Sequence, residues 1–277
     1  MTSTTQHRSR ISLIDSATHT AIITRRNVLR FLRIPALLLF STVQPVMFLL
    51  LFNYVFGGAI TSGAGTGSDQ YINWLIPGIL VQSAVFGATA TALGLTEDLG
   101  AGVIDRFRSL PMARSAVLTG RTLADLVRNT LVFSLMLAVG YLMGWRFEQG
   151  VLKMLLALGL ALGFGYAFSW VMVVVGLATK TPEAAQSAGF LPIFPLVFAS
   201  SVFVPTETMP DWLRVFADNQ PVTILANAVR SLLLPEEALS FIGFDQGELV
   251  LKSILWIVGI IAVVAPLSVR MYRRTVG

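Results

Sequence analysis

Six apolar runs alternate along the chain with polar segments punctuated by proline and glycine. The runs 35–56, 71–96, 123–145, 151–178, 188–204 and 249–269 predict six helices, and most approach the roughly 20 residues that cross a bilayer. They are continuous rather than alternating, which argues against a β-barrel. Pro35 stands where a helix start tolerates it, and Pro45 predicts a bend inside the first run. The second run opens on Tyr71 and Trp74, residue types that favour the membrane–water interface. Pro77-Gly78 predicts a kink in its outer third. The fifth run is short and broken by Pro192 and Pro195.

The segments between and before the runs carry their own patterns. In residues 1–34, Ile14, Ala21, Val28 and Leu32 share one helical face, while Arg26, Arg30 and Arg33 share another. This predicts an amphipathic helix in the headgroup plane with its arginines toward anionic lipid. Met1 to Thr20 lacks the compact apolar core of a cleavable signal peptide. Residues 205–246 contain two short helical stretches, Asp211 to Ala217 and Thr223 to Leu234. Neither is long enough to cross, and both are expected to dip into the outer leaflet and return. Residues 97–122 form a charged loop, and 271–277 a basic tail.

Composition sharpens this into an all-α polytopic membrane protein. The 277 residues are 55% hydrophobic and 13% charged, against about 25% charged in an ordinary soluble domain. With the termini and the 97–122 loop inside, about fifteen of the basic residues fall inside and about five outside, the bias that fixes orientation. Both termini are thus expected in the cytoplasm, in a multi-pass protein of the cytoplasmic membrane. The net charge of +5 reads as topology rather than as nucleic-acid binding.

Candidate chemistry is sparse. There is no cysteine, which excludes disulfides and thiolate metal sites. His7 and His19 have no metal-ligand spacing. Gly63-Ala64-Gly65-Thr66-Gly67-Ser68 has the glycines of a phosphate loop but no lysine. No catalytic grouping is visible, so neither an enzyme nor a bound cofactor or metal is expected. Ion-coupled carriers keep ionisable groups at mid-membrane, where this chain places neutral residues such as Gln44 and Gln82. Lys153 and Lys252 lie near outer ends, where long side chains snorkel. Arg121, Asp125 and Arg128 cluster near the inner end of the third run. The spacing of Arg121 and Asp125 permits a helical ion pair, either an inner gate or a structural bracket. Gly140/Gly144 and Gly159/Gly163 suit close helix packing.

The loop that starts at Glu97 is the most distinctive segment. Glu97 to Arg108 can form a short amphipathic helix, and Ser109-Leu110-Pro111 stops it. Phe107 between Arg106 and Arg108 suits a docking surface, since interfaces enrich aromatics and arginine. This run, with Arg106-Phe107-Arg108-Ser109-Leu110-Pro111 at its centre, resembles the ABC-2 type permease family. The order Ser200-Ser201-Val202-Phe203-Val204-Pro205, Met209-Pro210-Asp211-Trp212, Asn219-Gln220-Pro221-Val222-Thr223 and Arg230 is also similar to that family, most of all to its daunorubicin-resistance type in actinobacteria. One departure is Gln220, where Asn-Pro directly is more usual.

The resemblance implies a permease of a two-component exporter. Glu97, Asp98, Asp105, Arg106, Phe107, Arg108 and Leu110 would belong to a coupling helix docked on a separate ATPase, present in two copies, that holds ATP and Mg. Pro210, Trp212, Asn219, Pro221 and Arg230 would mark the outer re-entrant helices. A second permease, in a homodimer, and membrane lipids complete the implied partners. The implied substrate is an amphipathic drug, lipid or glycolipid. Phe40, Met47, Phe48, Phe86, Phe168, Phe194 and Phe198 are candidates to line its path. The rival readings are an ion-gradient-coupled carrier and a membrane scaffold without transport.

Overall fold

The computed structural model describes residues 13–57, 68–103, 114–179, 181–235 and 245–276, and these form helices and turns without a strand. The helices are α1 (Leu13–Arg33), α2 (Pro35–Leu51), α3 (Ser68–Gly87), α4 (Thr89–Gly100), α5 (Arg114–Leu142), α6 (Val151–Ala178), α7 (Pro182–Phe198), α8 (Asp211–Asn219), α9 (Pro221–Leu233) and α10 (Gln246–Val276). A π-helical turn, Phe52–Phe56, extends α2. Four stretches are long and apolar enough to cross a membrane: Tyr71–Gly100, Ser115–Leu142, Val151–Ala178 and Gln246–Arg274. Ser41–Val55 and Pro221–Leu233 are shorter apolar helices.

Helix α6 is the central pillar, in contact with α3, α4, α5, α7, α9 and α10. Leu75, Ile76, Ile79 and Leu80 of α3 pack with Phe133 and Met136 of α5, Phe164 and Met172 of α6, and Val229 of α9 in one buried core. A second cluster joins Leu95, Leu118, Trp170, Val173 and Tyr272. It marks the basic end of the bundle, where α4, the start of α5 and the end of α10 meet. Helix α10 buries only 11% of its apolar window. Leu251, Leu255, Val258 and Val263 face outward, as side chains in contact with acyl chains do.

Several expected boundaries move, each for a local reason. The second run is interrupted at Ala88, where Thr91 N–H bonds to the Ala88 carbonyl, while Pro77 lies inside continuous helix. Helix α5 begins at Arg114 rather than 123, which puts Arg121 on a helix instead of in a loop. Helix α7 begins at Pro182 rather than 188, because the Thr181 hydroxyl accepts from Ala184 N–H at 3.2 Å and proline fills the first helical position. It continues through both Pro192 and Pro195. The tail read as 271–277 is helical to Val276.

Two readings of helix faces are corrected. Tyr71 and Trp74 do not anchor an interface. Tyr71 is buried and donates to the Phe203 carbonyl at 3.2 Å, and Trp74 lies under the Arg230 guanidinium at 3.7 Å. Arg26 and Arg30 of α1 turn to acids of α4 rather than to lipid. Helix α1 packs instead on α5, where Ile23 sits so close to Gly120 that a Cβ there would lie 2.7 Å from it. Ile14, Ile22 and Leu32 are left facing outward. Of the glycine pairs, Gly140 abuts Ile76 while Gly144 lies beyond the helix end with φ +96. Gly163 faces Ile257 of α10, and Gly159 faces open space.

Candidate functional site

The basic end is held by a row of arginines and acids drawn from three helices. Arg26 and Arg121 both reach Asp98 Oδ2, at 2.8 and 2.7 Å. Arg30 pairs with Glu97 at 2.8 Å. Arg128 pairs with Asp125 at 3.0 Å and donates to the Gly87 carbonyl. The Thr91 hydroxyl donates to Asp125. The expected Arg121 to Asp125 pair is therefore not the one formed: Arg121 crosses to α4, and Asp125 takes the arginine one turn on. Burial explains the exchange. Asp98, Asp125 and Arg128 are all buried, and a buried charge is retained only with good partners.

Backbone room makes this row possible. Gly94 of α4 faces Arg121, and Gly87 at the end of α3 faces Asn129 and Arg128 further along α5. A Cβ at Gly94 would collide with the Arg121 guanidinium, and one at Gly87 would lie 3.4 Å from Arg128 and 2.5 Å from the Asn129 amide oxygen. Arg121 and Arg128 are seven residues apart and lie on one face of α5, while Gly87 ends α3 and Gly94 lies within α4.

Above the row lies a chamber of about 420 Å³, within the size range of small-molecule sites. Arg30, Glu97, Arg121, Asp125 and Arg128 form its charged floor. Ser41, Gln44, Gln82, Ser83, Asn129 and Gln186 give its walls neutral hydrogen-bonding groups. Phe31, Phe48 and Phe86 supply apolar faces.

From the chamber a continuous aromatic series follows α7. Phe86 meets Phe190 and Phe194 at ring-centroid distances of 5.8 and 5.7 Å. Phe194 stacks on Phe198 at 5.4 Å, Phe198 meets Phe203 at 5.4 Å, and Phe203 stacks on Phe52 at 4.2 Å. Phe48 closes the series against both Phe52 and Phe203. Phe194 and Phe198 are nearly half exposed. Four of the sequence candidates, Phe48, Phe86, Phe194 and Phe198, come together here. Phe168 instead packs on Phe164 inside the core, Met47 points outward, and the Phe40 side chain lies outside the described residues. Phe52, Phe190 and Phe203 were missed. The signal for Phe190 was present, since Phe190, Phe194 and Phe198 recur every four residues on one face of α7.

At the opposite end, the 200–205 turn is tied to α9. Arg230 is fully buried. Its guanidinium donates to the carbonyls of Trp74, Ser201 and Val202, the Ser201 hydroxyl and the Asn227 amide oxygen, at 2.7–3.0 Å. Gln220 caps α9 by accepting from Val222 N–H at 3.3 Å. Its amide nitrogen reaches the Leu196 and Ala199 carbonyls at 2.7 and 3.1 Å.

The profile of the family described as ABC-2 type transporter matches residues 18–234. The daunorubicin resistance ABC transporter permease protein of Streptomyces coeruleorubidus is 32% identical over 249 residues, spanning 90% of this chain and 84% of that protein. The chain belongs to the ABC-2 type transporter family. A probable doxorubicin resistance ABC transporter permease of Mycobacterium tuberculosis is 27% identical over 263 residues, spanning 92% of this chain and 88% of that protein. The putative transport permease ycf38 of Cyanophora paradoxa is 23% identical over 212 residues, 76% of this chain and 72% of its own.

This ABC-2 chain is thus a multi-pass membrane permease subunit of an ABC exporter, and permease subunits are not themselves enzymes. The candidate coupling residues divide in two. Glu97 and Asp98 stand at the end of α4, ion-paired to α1 and α5. Asp105, Arg106, Phe107, Arg108 and Leu110 lie outside the described residues. Of the outer motif, Pro221 opens α9, and the Asn219 side-chain amide donates to the Val215 carbonyl at 2.8 Å. Pro210 is the N-cap of α8, and Trp212 is 76% exposed on that helix.

Proposed function

We propose that this permease exports an amphipathic drug, lipid or glycolipid through the chamber and along the aromatic series. The single observation that carries the reading is the continuity between them: Phe86 and Phe48 line the chamber and also belong to the series. A polar head would rest near the charged floor while the apolar body lies on phenylalanine faces. The drug-resistance names of the relatives support a substrate of this kind.

In this reading the chain has six spans, with α2 and α7 joining the four long ones. Both termini and the basic end face the cytoplasm. Helices α8 and α9 form the outer re-entrant pair. Two permeases, as a homodimer, work with two copies of an ATPase that holds ATP and Mg. Residues 97–122 contain the coupling helix that docks on it. ATP binding drives transport only through differential affinity for inward- and outward-open states. Affinity purification of the tagged chain from its native membrane is expected to recover a stoichiometric ATPase without membrane spans. Replacing Arg106 and Phe107 together by alanine is expected to leave the folded protein in the membrane but uncouple ATP hydrolysis from export. Wild-type export by that variant removes the docking assignment. Export that collapses with the proton gradient but not with ATP depletion removes the exporter reading in favour of an ion-coupled carrier.

A further inference from the structure

We propose that the chamber floor is an anion subsite, in which Arg121 and Arg128 receive the phosphate or carboxylate head of the amphipathic substrate. The inference rests on the transport reading above and specifies the head group.

Charge is the first ground. Among the described residues the row holds four guanidiniums, from Arg26, Arg30, Arg121 and Arg128, against three carboxylates, from Glu97, Asp98 and Asp125. Every carboxylate already has an arginine, and Asp98 has three within 4 Å. A cationic head would have to displace a guanidinium to reach an acid. An anionic head meets the one charge left over, in surroundings where an uncompensated charge costs most.

Unused hydrogen-bonding groups are the second ground. Arg121 Nε and Asn27 Nδ2 are buried donors with no partner, and the Gln82 amide oxygen is a buried acceptor with none. All three residues line the chamber. Buried polar groups are rarely left unmade, because each costs free energy. Two idle donors beside an arginine row suit the oxygens of a phosphate or carboxylate, which take charge-assisted bonds from guanidinium. The Gln82 oxygen suits a hydroxyl beside the anion. The third ground is shape. Glycine at 94 lets the Arg121 guanidinium lie against helix backbone, and Arg128 donates to the Gly87 carbonyl, which leaves room over both rather than filling it.

The test uses the full-length chain in nanodiscs of phosphatidylcholine, with empty discs as reference. Equilibrium binding is measured for lysophosphatidic acid, lysophosphatidylcholine and a primary amine of the same chain length. Lysophosphatidic acid is expected to bind at least tenfold more tightly than either. Arg121→Gln is expected to abolish the preference while choline-headed binding persists. Arg121→Lys, which keeps the charge but removes the Nε donor, is expected to keep a reduced preference. Equal affinities for the three probes, or tightest binding of the amine, overturn the proposal using the wild-type protein alone. A preference undiminished in both Arg121→Gln and Arg128→Gln also overturns it, by placing the charge effect elsewhere. Equal binding of all probes spares the chamber as a substrate site, whereas failure of every probe to bind removes both readings. Competition by millimolar inorganic phosphate then separates two sources of the same chemistry. Displacement assigns the subsite to a free phosphate, and lack of displacement to the amphiphile's own head.

Discussion

Arg230 carries a charge into the interior where the described residues offer it no carboxylate. Its five N–H donors all find neutral acceptors, and the Trp74 ring lies beneath it. Carbonyl dipoles and a π face replace the counter-ion. Arg230→Met is expected to leave the Ser201 and Val202 carbonyls without the donors they have here, at about 1–3 kcal/mol for each buried unsatisfied group. A clear fall in the thermal unfolding midpoint of the detergent-solubilised protein checks this. Arg230→Lys is expected to recover only part of the loss, since an ammonium has three donors and no planar fork. The sequence marked Arg230 by its resemblance to a motif, but not its partners, which come from α3 and the 200–205 turn. Arg121 shows the same limit. Spacing along one helix suggested Asp125, while the partner is Asp98 on another helix, and the notch that admits Arg121 is a glycine of α4.

Elements were most legible where caps and apolar runs coincide. Helix α6 has the expected bounds because Gly150 and Thr179 flank an unbroken apolar run. The start of α7 was missed because the Thr181-Pro182-Glu183 signature is polar and reads as loop until its capping is recognised. Gln220, the one departure from the family pattern, proves to be a cap that also ties α9 to the end of α7. Gln220→Ala is expected to cost about 1 kcal/mol for the lost cap, with a further loss from the bonds to Leu196 and Ala199. Gln220→Asn, one methylene shorter, is expected to keep the cap and lose the ties. Urea unfolding of the two variants side by side checks the order. The aromatic series belongs to this scale as well. Phe194 and Phe198 are nearly half exposed but hold the ring contacts to Phe86, Phe190 and Phe203, so replacing both by alanine is expected to lower the thermal unfolding midpoint as well as transport. At about 0.5–1.5 kcal/mol per aromatic contact, ATP-driven export in vesicles is expected to fall roughly tenfold.

For the molecule as a whole, hydropathy placed the bundle in a membrane, while the pairing of its helices depended on side chains that no apolar count registers. Helix α10 illustrates the first, being apolar with only 11% of its apolar window buried. The row of ion pairs across α1, α4 and α5 illustrates the second. That row has a mechanical consequence. One arginine tooth on α5, Arg121, engages one glycine notch on α4, Gly94, and a turn of helix rises about 5 Å. A slide of one turn would press the guanidinium against a Cβ-bearing residue instead of the notch. Helix α4 therefore cannot creep along α5. The two move as one gear segment with α1 fastened to their side, and any opening of the chamber is a swing of that segment against α2 and α7. The cysteine-free chain suits a direct trial, since introduced cysteine pairs have no background. Locking α4 to α5 is expected to leave export running, and locking α2 to α7 across the phenylalanines to stop it.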